Sequence, residues 1–305
     1  MVSTGGDRKG RVVAIANQKG GVGKTTTAVN LGASLALAGK HCLLIDLDPQ
    51  GNAASGLGLS PETEPLGIYE VLVNGESLAA ARIATQVEGL DAVVSGQRLG
   101  GAEVELVPQP DREFILRRAL AAVRGEYDYV LLDCPPSLGL LTVNGLTAAD
   151  SVMIPLQCEY YALEGLSQLL NAIRLVQQNL NPDLRIEGVV LTMYDGRLSL
   201  SQQIVDEARR FFAERVYKTL IPRNVRLSEA PSFGKPAVLY DRHCAGSESY
   251  LNLAPGSAGG QPAGLAGGSR SGGERPSSLR SSPPGQSPGR ARPSRLHPHR
   301  RVLHC

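Results

Sequence analysis

The sequence predicts a doubly wound α/β domain, in which helices flank a mostly parallel sheet on both faces. Short apolar runs rich in Val, Ile and Leu alternate with helical stretches, and a charged residue or proline bounds most runs. A glycine-rich loop joins the first run to the first helical stretch, at the edge where such sheets bind ligands. The apolar runs lie at residues 12–16, 42–46, 129–132, 152–156 and 188–193.

Helical stretches separate these runs, among them residues 26–38, 111–123, 163–179 and 201–212. In the last stretch the apolar residues recur with the spacing of a single helix face. We expect that face to pack against the sheet. Its members are Ile204, Val205, Ala208, Phe211 and Phe212.

The composition indicates an aliphatic core, with 42% hydrophobic residues, 4% aromatic residues and no tryptophan. No apolar stretch approaches the roughly 20 residues that span a bilayer. Residues 1–9 are polar and lack the apolar segment of a signal peptide. We therefore expect a cytoplasmic protein that does not bind membranes.

The five cysteines are scattered, and no two have the spacing of metal ligands. We expect small buried hydrophobic side chains rather than disulfides, above all for the three that lie in or beside apolar runs. This pattern disfavours an iron–sulfur protein. The cysteines are Cys42, Cys134, Cys158, Cys244 and Cys305.

The chain changes character after residue 254. Residues 255–305 are dominated by Gly, Ser, Pro and Arg, with eight arginines and one glutamate, so the rest of the chain is mildly acidic. Such a segment buries too little apolar surface to offset its ordering entropy. We predict a folded domain at 1–254, with about ten flexible N-terminal residues, and a disordered tail at 255–305.

Two interpretations of this tail stay open. A basic tail would add weak, salt-sensitive affinity for DNA. Alternatively, a shifted reading frame produced the segment, and the last helix is then cut short and the fold less stable.

The glycine-rich loop, residues 18–27, reads QKGGVGKTTT. A loop of this kind between a strand and a helix directs backbone N–H groups at a phosphate chain. Lys24 adds a positive charge for the β- and γ-phosphates, and the Thr25 hydroxyl is positioned to bind Mg²⁺. The common pattern has glycine where this chain has Gln18, and the chain carries a second lysine, Lys19. The alternative is a plain glycine-rich turn with two solvated lysines.

Two later segments end a predicted strand in acidic residues: LLIDLDPQ at 43–50 and YVLLDCPP at 129–136. The second has the Walker B pattern, so Asp133 is expected to hold Mg²⁺ through water, since this ion dehydrates reluctantly. Asp46 is expected to support the phosphate loop and the water shell of the metal. For Asp48 the structural alternative is a carboxylate that caps a turn or a helix.

Residues 19–26, KGGVGKTT, resemble the deviant Walker A motif of the ParA/MinD family of dimerising ATPases. Residues 192–197, TMYDGR, and 221–231, IPRNVRLSEAP, resemble signatures of its chromosomal ParA (Soj-type) branch. The resemblance covers about residues 10–254 and implies a P-loop NTPase fold with ATP and Mg²⁺ as ligands. The residues implied to bind the nucleotide phosphates are Gly20, Gly21, Val22, Gly23, Lys24, Thr25 and Thr26.

The resemblance also implies individual roles. Asp48 would orient the attacking water. Lys19 would cross a dimer interface to the ATP of the partner, so that two ATP molecules are sandwiched between two copies. The competing interpretation for Lys19 is a phosphate contact within its own subunit. Pro222 and Arg223 would lie beside the adenine base.

A basic surface for DNA is implied at Arg197 and Arg226, which would hold phosphates without reading sequence. Four further basic residues either extend this surface or form an ordinary solvated helix face: Arg209, Arg210, Arg215 and Lys218. The resemblance thus implies a slow, nucleoid-associated partitioning ATPase for a chromosome or a plasmid. Its implied partners are a second copy of the chain, nonspecific double-stranded DNA and a ParB-type protein.

Three other functions compete with this interpretation. A MinD-like, membrane-cycling ATPase requires a C-terminal amphipathic helix, which the Pro/Gly-rich tail lacks. A metal-cluster carrier or nitrogenase-like reductase requires clustered cysteines. A nonenzymatic DNA-binding protein with a vestigial pocket is disfavoured by the complete nucleotide motifs.

Overall fold

A computed structural model of the chain describes residues 10–159 and 166–259. Within these residues a seven-stranded sheet has the order β3-β4-β2-β5-β1-β6-β7. The strands are β1 (Arg11–Ile15), β2 (Cys42–Asp46), β3 (Ile83–Ala84), β4 (Leu90–Val93), β5 (Tyr129–Asp133), β6 (Ser151–Gln157) and β7 (Arg185–Thr192).

Six of these strands pair in parallel, and only the short edge strand β3 is antiparallel to its neighbour. The five predicted strands are all present. Strands β3 and β4 were not predicted, because a run of two or four residues carries little periodicity. The predicted class, a doubly wound and mostly parallel sheet, is confirmed.

Twelve α-helices connect the strands in the described part of the chain. The helices are α1 (Lys24–Leu37), α2 (Asn52–Leu57), α3 (Ile68–Val73), α4 (Leu78–Ala81), α5 (Leu99–Glu105), α6 (Ile115–Ala121), α7 (Leu140–Ala148), α8 (Leu166–Asn179), α9 (Ser199–Phe212), α10 (Val225–Glu229), α11 (Ala237–Tyr240) and α12 (Ala245–Gly259).

The predicted helices correspond to α1, α6, α8 and α9. Helix α6 is shorter than predicted, because residues 112–114 form a tighter 3-10 turn instead. The first residues of the stretch predicted at 163–179 lie outside the described residues. Helix α12 continues to Gly259, so the first five residues of the tail predicted at 255–305 are helical, and residues 260–305 lie outside the described residues.

Side chains of the central strands alternate between two cores, one on each face of the sheet. Val12 and Ala14 pack on the face that helices α3 and α5 to α9 cover. Val13 and Ile15 pack on the opposite face, under α1, α2 and α10 to α12. Both faces of the sheet are therefore covered, as a parallel sheet requires.

The prediction that Phe211 faces the core is wrong. Its side chain is 65% exposed, whereas Phe212 is 7% exposed. At about 100° per residue, Phe211 falls at one margin of the apolar stripe, beyond Ile204, where its ring is open to solvent. The Phe211 ring instead packs edge-on against Phe212, with 4.9 Å between the centroids.

The described cysteines are free thiols, and Cys42, Cys134 and Cys158 are buried as predicted. Burial raises the pKa of the Cys158 thiol to about 11. Cys305 lies outside the described residues.

Candidate active site

The register of the central strands brings three sequence motifs to one edge of the sheet. Ile15 at the end of β1 and Asp46 at the end of β2 both lie opposite Asp133 at the end of β5. The glycine-rich loop, the Asp46–Asp48 segment and the Walker B carboxylate are therefore neighbours at the carboxyl edge, where open α/β sheets bind ligands.

The glycine-rich loop has a backbone that only glycine adopts easily. Gly21 has φ +72° and Gly23 has φ +86°, in the left-handed region, and Gly23 caps the start of α1. No heavy atom lies within 4 Å of the position that a Cβ would take at Gly20 or Gly21. The backbone at these two positions is open to a ligand, at a helix N-terminus that favours anions.

The two lysines of the loop occupy different environments. Lys24 is 6% exposed, and its Nζ donates to the Lys19 carbonyl oxygen at 3.3 Å. Burial lowers the pKa of Lys24, and the charges of Asp133 and Asp48 oppose that shift. The Lys19 side chain is partly exposed, and its backbone N–H donates to Asn17 Oδ1 at 3.0 Å. One lysine thus lies inside the loop and the other lies at its surface.

Asp46 shapes the loop that carries Asp48. Its Oδ1 accepts from the Asp48 N–H at 2.9 Å and its Oδ2 from the Ala53 N–H at 3.1 Å. Burial, then the nearby charge of Asp133, raises the pKa of Asp46. Asp48 is 9% exposed, and its Oδ1 accepts from the Gln50 N–H at 3.0 Å, so this carboxylate also caps a turn.

Asp133 is completely buried, and neither of its carboxylate oxygens has a hydrogen-bond partner in the described part of the chain. Burial raises its pKa, and the neighbouring Thr25 hydroxyl and then the Lys24 ammonium oppose that shift. A buried carboxylate with two free oxygens is costly unless a cation joins it. Together with the Thr25 hydroxyl it supplies the hard oxygen donors that Mg²⁺ prefers, so these residues fit that ion.

A cavity of about 520 Å³ adjoins the glycine-rich loop. Pro222 and Arg223, predicted to lie at the base, line it together with Gly23 and Thr26 of the loop. The remaining lining residues are Thr192, Met193, Ile221, Asn224, Val225, Leu227, Ser228, Pro231 and Tyr250.

Three of these lining residues received no role from the sequence. The Thr192 hydroxyl donates to the Val22 carbonyl oxygen at 2.9 Å. Met193 has φ +52°, an uncommon conformation for a residue with a side chain. Tyr250 is buried and pairs with Thr27. The TMYDGR segment pointed to the first two, but no local pattern marked Tyr250.

The arginines predicted to contact DNA are exposed and paired with nearby acids. Arg197 binds Asp195 at 2.7 Å and holds the pKa of that carboxyl at about 2. Arg226 binds Glu229 at 2.8 Å and lies 3.4 Å from Asp241. The four further basic residues are also exposed: Arg209, Arg210, Arg215 and Lys218.

Comparison with known proteins identifies the family. A family model described as an AAA domain matches residues 10–186. Sporulation initiation inhibitor protein Soj of Bacillus subtilis is 60% identical over 245 residues, which cover 80% of this chain and 97% of that protein. The chain belongs to the ParA/Soj family.

A second relative agrees with this assignment, and a solved structure has a similar fold. Chromosome partitioning protein ParA of Myxococcus xanthus is 58% identical to this ParA/Soj-family chain over 244 residues, covering 80% of the chain and 86% of that protein. A crystal structure of cobyrinic acid a,c-diamide synthase from Mycobacterium smegmatis, with bound ADP and magnesium, is 39% identical with a TM-score of 0.72. The match covers 83% of this chain and 97% of that one. The predicted family is confirmed.

None of the helices described for this ParA/Soj-family chain has the length and apolar character that crossing a bilayer requires.

Proposed function

We propose that this ParA/Soj-family protein is an ATP-dependent, dimerising switch ATPase that partitions a chromosome or a plasmid. The single observation that carries the proposal is the site itself: Lys24 and Thr25 at the start of α1 share an edge of the sheet with the fully buried carboxylate of Asp133. The names of the 60% and 58% identical relatives, Soj and ParA, support the partitioning role. The ADP and magnesium of the 39% identical structure support ATP and Mg²⁺ as cofactors.

The loop binds the triphosphate through its backbone. The N–H groups of residues 20–26 surround the phosphates, and the N-terminus of α1 adds the positive end of its dipole. Lys24 neutralises the β- and γ-phosphates from a buried position, where a charge acts more strongly than it does in water.

Thr25 directly, and Asp133 and Asp46 through water, are the residues that would hold Mg²⁺, which supplies neutralisation of the charge shared by the β- and γ-phosphate oxygens. Asp46 also holds the backbone of the Asp48 segment. Asp48 orients the attacking water, which is the main task of a protein in phosphoryl transfer. One oxygen of Asp48 is engaged by the Gln50 N–H, and this engagement supports slow intrinsic turnover.

Lys19 serves the dimer. Its position at the surface of the loop, while Lys24 occupies the interior, supports a contact with the nucleotide of a second copy. Two ATP molecules then join two identical faces in an isologous contact. Hydrolysis removes the γ-phosphates that the crossing lysines bind, and the dimer separates.

The dimer binds DNA nonspecifically through Arg197 and Arg226, whose exposure supports phosphate contacts. Two copies double the number of these contacts, so the ATP state binds DNA more tightly than the monomer. A ParB-type protein on the cargo stimulates hydrolysis and releases the dimer. The protein is then cytoplasmic and associated with the nucleoid.

The experiment that tests this function measures ATP binding, ATP turnover and molar mass on the purified chain. Lys24→Ala is expected to abolish ATP binding. Asp48→Ala is expected to bind ATP and form a stable dimer without turnover. Lys19→Ala is expected to bind ATP and stay monomeric, whereas a contact within its own subunit predicts weaker ATP binding instead.

Lys40→Ala is the matched control, because Lys40 lies after α1 and outside the loop; it is expected to behave like the unaltered chain. An Asp48→Ala protein that still hydrolyses ATP contradicts the assigned role of Asp48. An unaltered chain that stays monomeric with ATP and Mg²⁺, even with turnover blocked, contradicts the proposed switch.

A further inference from the structure

The last helix contributes a tyrosine to the cavity beside the glycine-rich loop. Tyr250 of α12 is 1% exposed and lines this cavity together with Gly23 and Thr26. Its hydroxyl lies 3.1 Å from Thr27 Oγ1, across 223 residues of sequence. Helix α12 is therefore tied to the first turn of α1, the turn that also carries Lys24.

The hydroxyl pair is internal to the protein. Thr27 is 0% exposed, so each hydroxyl depends on the other in place of water. A buried hydroxyl that loses its partner is destabilised by the full desolvation penalty. The hydroxyl pair therefore stabilises the docked position of α12. Burial also raises the pKa of Tyr250, which keeps its O–H protonated and able to donate.

Helix α12 also supports a second wall of the same cavity. A Cβ at Gly246 would lie 2.6 Å from Leu227 Cγ, so the α12 backbone approaches α10 as closely as glycine allows. Leu227 and Val225 of α10 line the cavity. Helix α12 thus contributes Tyr250 to the cavity wall and packs against α10, which contributes Val225 and Leu227.

A third connection involves α11. Asn30 of α1 donates from Nδ2 to the Thr26 carbonyl oxygen at 2.8 Å, and its Oδ1 accepts from the Ala237 N–H at 2.8 Å. The end of α1 that faces the cavity is therefore fixed by both C-terminal helices.

We propose that Tyr250 forms the inner wall of the nucleoside-binding cavity, which makes α12 part of the nucleotide site. The proposal rests on the proposed binding of ATP and extends it to the purine nucleoside. It has a thermodynamic consequence, because a ligand that binds only the docked arrangement stabilises that arrangement. Bound ATP stabilises the docking of α12.

Hydrogen exchange on the unaltered chain tests this consequence. With Mg²⁺ and ATP at 100 times the dissociation constant, the backbone amides of α12 are expected to exchange up to about 100-fold more slowly. Helix α9 packs on the opposite face of the sheet and serves as the internal control. The proposal is overturned if ATP does not slow amide exchange in α12, or if it slows exchange in α12 and α9 equally.

Two substitutions distinguish the contribution of the Tyr250 ring to the cavity wall from that of its hydrogen bond to Thr27. Tyr250→Phe keeps the ring and loses the bond to Thr27, so stability is expected to fall, with a smaller rise in the dissociation constant for ATP than Tyr250→Leu produces. Tyr250→Leu removes the ring, and the dissociation constant is expected to rise about tenfold. A value for Tyr250→Leu within twofold of the unaltered chain overturns the proposal.

The matched control is Tyr217→Leu. Tyr217 is also buried, and its hydroxyl bonds to Glu187 away from the cavity, so this variant loses stability with no change in ATP affinity. If Tyr250→Leu does not fold, the exchange experiment decides. An unaltered chain that binds no ATP refutes the proposed function, whereas normal ATP binding by Tyr250→Leu refutes only the role of Tyr250.

Discussion

The Thr192 hydroxyl donates a hydrogen bond of 2.9 Å to the carbonyl oxygen of Val22, and so joins the end of β7 to the glycine-rich loop. Thr192 is 2% exposed and lies opposite Gln157 in the sheet. The loop is therefore fixed on one side by α1, which continues from it, and on the other by an edge strand far along the chain. This second attachment explains how a loop rich in glycine keeps its shape.

Replacing Thr192 with Val removes that attachment while keeping the volume of the side chain. The Val22 carbonyl loses its donor, and a bond of this kind contributes about 0.5–1.5 kcal/mol. Because the lost order lies in the loop that binds phosphates, we expect ATP affinity to fall about two- to tenfold. Isothermal titration with ATP and Mg²⁺ measures the change.

Thr147→Val is the control for this prediction. Thr147 is also buried, but its Oγ1 has no partner among the residues that the structure describes. We expect Thr147→Val to leave ATP affinity unchanged and stability equal or higher. Equal ATP affinity for the two variants would show that the Thr192 bond does not order the loop.

The structure brings the motif residues that the sequence singled out to one edge of the sheet, for a physical reason, while their individual roles stay predictions. Each motif is contiguous, and the carboxyl ends of parallel strands meet at one edge, so Lys24, Asp46 and Asp133 required no knowledge of the topology. The contacts of Thr192 and Tyr250 join residues 170 and 223 positions apart, and no periodicity encodes such a pairing. The prediction for Phe211 is wrong because the spacing of apolar residues does not show where the margin of a buried helix face lies.

The acidic edge of the site predicts that one substitution removes the stabilisation by ATP and Mg²⁺ while it changes the nucleotide-free protein little. Asp133 is buried, its oxygens are unpartnered in the described structure, and it lies opposite the buried Asp46. Asp133→Asn removes one of two facing acids without a change of shape, but it also removes a negative charge that favours the buried Lys24 ammonium, so the stability of the nucleotide-free protein is expected to change by about 1 kcal/mol or less. The additional stabilisation by ATP and Mg²⁺ is expected to be lost, because a metal ligand is missing.

Thermal unfolding with and without ATP and Mg²⁺ measures both effects. Asp91→Asn is the control, since the Asp91 carboxylate accepts from the Tyr127 hydroxyl at 2.7 Å on β4, outside the site. It is expected to lower stability and to keep the full response to ATP and Mg²⁺. An Asp133→Asn protein with an undiminished response would contradict the assignment of Asp133 to the metal.

The proposed DNA contact of Arg226 predicts that a substitution there weakens DNA binding and leaves the nucleotide site intact. Arg226 is exposed on α10, and its guanidinium binds Glu229 and lies close to Asp241. Arg226→Glu reverses the charge and adds repulsion from DNA phosphates. We expect weaker retention on DNA and a shallower dependence on salt, with unchanged ATP turnover in the absence of DNA.

Arg174→Glu makes the same charge change on α8, on the opposite face of the sheet. Filter binding of double-stranded DNA at several salt concentrations compares the two variants. The unaltered chain and Arg174→Glu are expected to bind DNA with equal affinity, and Arg226→Glu is expected to bind DNA much more weakly. Equal retention of both variants would place the DNA surface elsewhere.

The close approach of α12 and α10 predicts that a single methyl group weakens the nucleotide cavity. A Cβ at Gly246 would lie 2.6 Å from Leu227 Cγ, the branch point of the side chain, so the two helices must separate to admit it. Overpacking of this kind costs about 1–3 kcal/mol. Because Leu227 lines the cavity, Gly246→Ala is expected to lower both stability and ATP affinity.

Gly125→Ala is the control, since nothing lies within 4 Å of its Cβ position, and its stability is expected to change by about 0.5 kcal/mol or less. Chemical denaturation and ATP titration of both variants measure the difference, and a Gly246→Ala protein with unchanged ATP affinity would show that the cavity tolerates movement of α12.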